Sequence, residues 1–162
     1  MRKTNAMRLL EAREIPYEAH TFDTNVHSAR ALAGVLGVDA SQVFKTLVVM
    51  REKGRPLLIM VPGDREVDLK SVASRLGEKR LRMASQKEAE RLTGLQVGGI
   101  SALALLNKGF DMYADQDILS WNSVIVSAGC RGLDLSLRPQ DLLLVTGAQT
   151  IPAISREDEE AE

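Results

Sequence analysis

The sequence predicts an α+β fold, in one compact domain built around a mixed β-sheet. Its 162 residues are enough for one hydrophobic core, and neither an internal repeat nor a low-complexity linker divides them. Apolar, β-branched runs and amphipathic stretches follow one another without regular alternation. This irregular order favours a mixed sheet over a doubly wound parallel sheet, in which each strand would be followed by a helix.

Five amphipathic stretches with capping signals are predicted to form helices. Side chains that can cap a helix precede most of them, and glycine or proline often follows. Ser85 and Glu88 have the spacing of a capping box. Pro139 fits the first turn of the last helix, where its missing N–H has no intrahelical partner to lose. In chain order, the predicted helices span 6–14, 28–36, 69–76, 85–93 and 140–145.

Between these helices lie short runs with the composition of β-strands. The strongest, 43–50, is nearly all apolar and β-branched, as expected of a buried strand. A turn-like segment at 52–55 joins it to a partner strand at 57–61, which Pro62 and Gly63 end. The other predicted strands, in chain order, are 17–22, 81–83, 110–113, 124–127 and 133–137.

The composition indicates a cytoplasmic globular protein. Hydrophobic residues make up 44% and charged residues 27%, which is an ordinary globular balance. No apolar run approaches the roughly 20 residues of a membrane-spanning helix, and the N-terminus lacks the apolar centre of a secretory signal. The single cysteine, Cys130, excludes an internal disulfide and fits a reducing compartment. We therefore expect no membrane partner.

The net charge of −1 is unevenly distributed. Five acids and one base lie in residues 156–162, so we expect a disordered acidic tail after a domain that spans 1–155. Between Lys70 and Arg91, seven bases stand against three acids. This basic stretch either meets phosphate or forms an ordinary solvated helical surface, and charge alone does not decide between the two.

Lys45 interrupts the apolar strand 43–50 with a charge. An unpaired buried charge is costly, so this lysine needs a partner or a solvent-filled pocket. On one interpretation its ammonium group lines a cleft, where it binds a phosphate or carbonyl oxygen or helps proton transfer. On the other it lies on an edge strand and points to water, where it prevents aggregation. The pattern alone leaves both interpretations open.

Two glycine clusters, 98–101 and 127–132, are further candidates for a binding site. Glycine lets the backbone approach a ligand closely, and backbone N–H groups in such loops can hold a carbonyl oxygen as charge develops on it. Two tight turns between strands are the simpler alternative. Asp134 alternates with leucines in the strand that follows, so its side chain faces either solvent or a pocket.

The sequence carries no recognisable metal or cofactor motif. His20, His27 and Cys130 do not have the spacing of metal ligands. A catalytic pair of Cys130 with a histidine lacks support, because no base stands near the cysteine in the sequence. Neither glycine cluster matches a dinucleotide or P-loop fingerprint. We therefore expect a protein that works without metal or organic cofactor.

An ordered set of short segments gives the chain a family resemblance. The segments are Lys3-Thr4-Asn5-Ala6-Met7-Arg8-Leu9-Leu10, Val43-Phe44-Lys45-Thr46-Leu47-Val48, Val67-Asp68-Leu69-Lys70, Gly98-Gly99-Ile100-Ser101 and Arg131-Gly132-Leu133-Asp134. In this order they resemble the YbaK-like proteins, the bacterial Cys-tRNA(Pro) deacylases. Those proteins are relatives of the editing domain of bacterial prolyl-tRNA synthetases. The resemblance covers the chain from about residue 3 to about 154.

The resemblance implies a mixed, mostly antiparallel, β-barrel-like sheet wrapped by helices. It also implies hydrolysis of the ester that joins an amino acid to the terminal adenosine of tRNA, with no metal or organic cofactor. The implied partners are aminoacyl-tRNA and prolyl-tRNA synthetase. Lys45 corresponds to the essential lysine of the family. The implied substrate-binding residues are Phe22, Gly98, Gly99, Ile100, Ser101, Gly129 and Asp134.

The glycine loop departs from the family pattern, and this keeps three functions open. Relatives continue the loop as Gly-Gly-Ile-Ser-Pro-Leu-Gly, whereas Ala102 and Ala104 stand here in place of the proline and the last glycine. Because proline fixes φ and glycine permits conformations that alanine resists, we expect a reshaped pocket. The first function is deacylation of Cys-tRNA(Pro) by the substrate's own thiol. The others are removal of another small amino acid, such as alanine, and non-catalytic binding of tRNA or a synthetase.

Overall fold

In the computed structural model, which describes residues 2–155, the helices begin where the sequence offers a polar cap. Four helices start at a side chain that accepts a hydrogen bond from a backbone N–H of the first turn. These caps are Thr4, Ser28, Asp68 and Ser85. The helices are α1 (Asn5–Ala12), α2 (Ala29–Leu36), α3 (Leu69–Leu76), α4 (Gln86–Thr93) and α5 (Pro139–Thr146). None of these helices is long and apolar enough to cross a membrane.

Most predicted helix ends are confirmed. α3 has the predicted bounds, and the capping box of Ser85 and Glu88 is present at the start of α4. α1 ends at Ala12, earlier than predicted. The reason is local, because Glu14 adopts a left-handed φ of 57° and turns the chain before it reaches Pro16.

The strands lie in two sheets. Their bounds are β1 (Glu18–Thr21), β2 (Phe44–Arg51), β3 (Leu57–Pro62), β4 (Leu81–Met83), β5 (Asp111–Asp115), β6 (Val124–Cys130), β7 (Leu133–Leu137) and β8 (Gln149–Ile151). A three-stranded antiparallel sheet has the order β1-β7-β6. A five-stranded sheet has the order β4-β2-β3-β5-β8, with β2 antiparallel to its neighbours and β5 parallel to its own.

The α+β class with mixed strand directions is confirmed, whereas the single barrel-like sheet is corrected. Within residues 2–155 the two sheets do not close into a barrel, and they meet at an isolated parallel bridge between Val43 and Ile125. β8 was not predicted, because Gln149 and Thr150 are polar and exposed and only parallel pairing with β5 defines the strand. The predicted acidic tail at 156–162 lies outside the described residues.

Clusters of buried apolar side chains surround the central strand. All residues of β3 are buried, as expected of a strand covered on both faces. The largest cluster packs α1 and α5 against the three-stranded sheet, and α3 covers the five-stranded sheet. α4 packs against Val48 and Leu58. α2 packs against Val43 and Ile125, so it covers the junction of the two sheets.

Gly63 fixes the position of α2 over that junction. Its backbone N–H donates to the carbonyl of Val43 at 2.7 Å. A Cβ atom on Gly63 would lie 2.1 Å from the Cβ of Ala29, in the first turn of α2. Because no pair of carbon atoms tolerates so short a contact, only glycine lets this helix approach the end of β3 so closely.

We expect Gly63→Ala to lower the free energy of unfolding by about 1–3 kcal/mol, the usual effect of overpacking a tight contact. Urea denaturation measures the change. Gly34→Ala is the matched control, because Gly34 lies in α2 and no atom lies within 4 Å of a Cβ built there. Since alanine favours helices more than glycine does, the free energy of unfolding of the control should rise by about 0.5–1 kcal/mol. A Gly63→Ala protein as stable as the wild type would contradict the close contact.

Candidate active site

A cavity of about 590 Å³ opens where the two sheets meet. One wall is β2, and Ser127 and Asp134 of the three-stranded sheet form another. The start of α2 and the segment before it line a third side. Val97, Gly98 and Ile100, together with the start of α4, complete the lining. The volume lies within the roughly 300–1,000 Å³ that is typical of small-molecule sites.

Lys45 extends from β2 into this cavity. Its neighbour Phe44 packs in the hydrophobic core and also contributes to the cavity lining. No hydrogen bond or ion pair to any other described residue involves the Lys45 ammonium group. At Lys45, β2 pairs with Val61 of β3, whereas β4 pairs only with residues 49–51 of β2. The half-buried lysine lines a cavity, which favours the cleft interpretation over the edge-strand one. A positive charge without a protein partner therefore faces the cavity.

Asp134 faces the same cavity from β7, in the other sheet. Only 6% of its surface is exposed, and this burial raises the pKa of its carboxyl group to about 6. Its cross-strand neighbours are His20 on β1 and Ser127 on β6. The Nε2 of His20 is bonded to the Oγ of Ser136 at 3.0 Å. Because no described side chain compensates the carboxyl group, Asp134 is a candidate to bind a cationic group of a ligand.

The glycine loop rests on the turn between β6 and β7. Gly98 lines the cavity, but Gly99 packs against the turn instead. A Cβ on Gly99 would lie 2.8 Å from the carbonyl carbon of Cys130 and 2.9 Å from the amide nitrogen of Arg131. Glycine is therefore required here for one segment of backbone to approach another.

The two alanines that depart from the family pattern, Ala102 and Ala104, have ordinary backbone conformations. The carbonyl of Ser101 accepts a hydrogen bond from the N–H of Ala104 at 3.2 Å, which makes Ala102 the second residue of a turn. The φ of Ala102 is −60°, a value that proline also adopts. Ala104 does not have a positive φ, so its position does not require glycine. Neither alanine lines the cavity.

The structure brings part of the predicted site to the cavity. The predicted residues in its lining are Phe22, Lys45, Gly98, Ile100 and Asp134. The predicted residues outside its lining are Gly99, Ser101 and Gly129. Gly129 lies in a bulge of β6 with a φ of 107°, and a Cβ there would lie 3.5 Å from the Cβ of Ala104. These three residues shape the loops around the cavity.

Sequence reasoning missed the wall formed by α2 and the segment before it, the lining contributed by residues 83–89, and one cation. The wall consists of Thr24, Val26, His27, Ser28, Ala29 and Leu32. The cap at Ser28 predicted the helix but contained no information on which strands it would cover. Arg131 also lines the cavity, although it was only part of a motif and had no assigned role. In the described part of the chain, no group of three His, Cys, Asp or Glu residues could hold a metal ion.

The raised pKa of Asp134 makes stability depend on pH. The native state binds the proton more tightly than the unfolded chain, where the pKa is about 3.9. The contribution of the Asp134 carboxyl group to stability is therefore fully present below about pH 4, and it is lost as the pH rises through about 6. Asp134→Asn cannot ionise, so at pH 8 it should be more stable than the wild type by up to roughly 3 kcal/mol. Urea denaturation at pH 4 and pH 8 measures this, and an equal difference at both would contradict it.

Comparison with known proteins identifies relatives over most of the chain. Residues 23–144 match the family model of the aminoacyl-tRNA editing domain. A protein of Enterococcus faecalis, provisionally named Cys-tRNA(Pro)/Cys-tRNA(Cys) deacylase EbsC, is 35% identical over 96% of this chain and 95% of its own length. A proline–tRNA ligase of Caldicellulosiruptor bescii is 28% identical over 74% of this chain and 20% of its own length.

Solved structures give the same result. A crystal structure provisionally described as a trans-editing enzyme for prolyl-tRNA synthetase has a TM-score of 0.82 and 27% identity, and the match covers 96% of this chain and 99% of that one. The crystal structure of a hypothetical protein has a TM-score of 0.86 and 26% identity, over 93% and 99%. Because the family match spans more than half of the chain and contains Lys45, the glycine loop and Asp134, the protein belongs to the aminoacyl-tRNA editing domain family.

Proposed function

We propose that this protein is a trans-editing deacylase that hydrolyses the ester bond of mischarged Cys-tRNA(Pro). The observation that carries the proposal is the Lys45 ammonium group, which enters a cavity without a partner among the described residues. The name of the Enterococcus relative, which shares 35% of its residues with this chain, supports cysteine as the amino acid. Cytoplasm, where translation takes place, is the proposed location.

The charges in the cavity match the charges of an aminoacyl ester. The amino acid bears an α-ammonium group, and its carbonyl oxygen becomes negative when the carbonyl carbon is attacked. Asp134, whose carboxyl group is buried, would receive the ammonium group. Lys45 would stabilise the developing oxyanion. A preorganised donor lowers the barrier because it is already in place when this charge develops. The two residues come from different sheets, so the ester would be bound across their junction.

The substrate itself would supply the nucleophile. The cysteine thiol attacks its own ester carbonyl, so that a sulfur–carbon bond forms and the carbon–oxygen bond to ribose breaks. The thiol proton goes to the departing ribose oxygen, which leaves as a hydroxyl group. Water then hydrolyses the resulting cyclic thioester, so that the sulfur–carbon bond breaks and free cysteine is released. The protein positions the ester and stabilises the oxyanion, without a nucleophile of its own. The exposed Cys130 lies outside the cavity lining and takes no part in this scheme.

Aminoacyl-tRNA is the proposed partner, with prolyl-tRNA synthetase as a second. A region of the proline–tRNA ligase of C. bescii is related to this chain. A separate protein with deacylase activity would act on the tRNA(Pro) that such a ligase mischarges. The basic stretch offers a surface for the tRNA body. Its bases are all exposed, namely Lys70, Arg75, Lys79, Arg80, Arg82, Lys87 and Arg91.

We expect Lys45→Ala to reduce the rate of Cys-tRNA(Pro) deacylation by about 10²–10³-fold, the typical effect of losing one oxyanion contact. The variant should fold normally, because no other described residue bonds to the Lys45 ammonium group. Release of cysteine from purified Cys-tRNA(Pro) measures the rate, and thermal unfolding checks the fold. Lys53→Ala, at an exposed lysine in the turn after β2, is the matched control. If folded Lys45→Ala deacylates Cys-tRNA(Pro) at the wild-type rate, Lys45 does not stabilise the oxyanion.

A panel of charged tRNAs separates the three functions that the sequence left open. Because Ala102 and Ala104 lie outside the cavity lining, we expect cysteine to be removed from tRNA(Pro) faster than alanine, by about tenfold or more. Equal rates for cysteine and alanine would favour a mechanism in which water attacks. Salt-sensitive tRNA binding without any turnover would favour a non-catalytic module.

A further inference from the structure

Arg131 is an exposed residue in the lining of the cavity, and one hydrogen bond restrains its side chain. It lies in the turn between β6 and β7, and its Nε donates a hydrogen bond to the carbonyl of Val97 at 2.8 Å. Its aliphatic stem lies along Gly98, where an added Cβ would be 3.4 Å from the Nε and 3.5 Å from the Cγ of the arginine. The glycine loop therefore orients this side chain, as well as forming part of the cavity.

The outer part of the Arg131 guanidinium group has no partner in the described chain. An arginine carries five N–H donors, and only the one on Nε is used here. Arg82 shows the contrast, because both of its terminal nitrogens bond to the carboxylate of Glu88 at 2.8 Å. Four N–H groups of Arg131 thus remain available at a cavity that also contains the Lys45 ammonium group.

A planar fork of N–H groups fits a phosphate or a carboxylate, which it can bind through two parallel hydrogen bonds. An aminoacyl-tRNA offers no free carboxylate at its 3′ end, because that group is tied up in the ester. It does offer a phosphodiester on the 5′ side of the terminal adenosine. This phosphodiester is one ribose away from the ester that Lys45 would meet.

We propose that Arg131 binds the phosphodiester group that precedes the terminal adenosine of tRNA. The inference rests on the proposed function for its choice of ligand. The phosphate contact and the ester contact lie on opposite sides of one ribose. Binding at both therefore fixes the sugar between Arg131 and Lys45, which positions the ester carbonyl for attack.

Arg131→Gln tests the proposal while keeping the loop in place. The amide nitrogen of glutamine is attached at the same point of the side chain as the Nε of arginine, so it can still donate to the carbonyl of Val97. The charge and the terminal N–H groups are lost. The ligands are the trinucleotide CpCpA, which contains phosphodiesters, and adenosine, which contains none. Titration calorimetry of the full chain gives both affinities, and it requires no turnover.

We expect the affinity for CpCpA to fall by about 10- to 100-fold, the usual effect of losing a hydrogen bond to a charged group. The fold decrease in affinity for adenosine should be at least ten times smaller than that for CpCpA. The slope of log affinity against log salt should decrease by about 0.7, the contribution of one phosphate contact on a single strand. Arg138→Gln, at an exposed arginine outside the cavity lining, is the matched control.

Three results would overturn the proposal. The first is an unchanged CpCpA affinity and salt slope in Arg131→Gln. The second is an equal loss of affinity for CpCpA and adenosine, which would mean that Arg131 only stabilises the loop. The third is a wild-type protein that binds CpCpA no better than adenosine. Absence of deacylation by the wild type would contradict the proposed function instead, so the two failures are distinguishable.

Discussion

The cavity depends on one contact between two stretches of backbone, that of Gly99 with the turn joining β6 and β7. The glycine loop follows α4, which packs on the five-stranded sheet, whereas the turn belongs to the three-stranded sheet. The contact therefore links the two sheets beside the cavity, in addition to the bridge between Val43 and Ile125. Lys45 and Asp134, one from each sheet, face the same space. The same contact places the stem of Arg131 along Gly98.

Many elements of the fold could be predicted, because each carries its own local signal. The bounds of α3, β4 and β7 agree with the sequence pattern, since caps, glycines and apolar alternation mark them. The division into two sheets could not be predicted. β1 pairs with β7, and His20 bonds across that pair to Ser136, 116 positions away. Nothing in the composition of either strand identifies its partner.

The candidate site was predicted where a residue breaks a pattern, and missed where it does not. Lys45 and Asp134 are charges in apolar strands, so they stood out. Gly99 also stood out, but sequence does not distinguish a glycine needed for a ligand from one needed for close packing of the chain. The wall from α2 was missed because Ser28 and Ala29 are ordinary helix residues. Their place beside the cavity follows from the close approach to Gly63, which is a tertiary contact.

The pairing of β1 with β7 affects the order in which the protein folds. β2 and β3 form a hairpin from neighbouring residues, so the half of the cavity that contains Lys45 can assemble early. β7 lies between β1 and β6, and it joins the beginning of the described chain to its last quarter. Closing such a long loop costs more entropy than closing a hairpin and slows folding. On the ribosome, β1 must wait unpaired until β7 emerges, so the wall of the cavity that contains Asp134 forms after the half that contains Lys45.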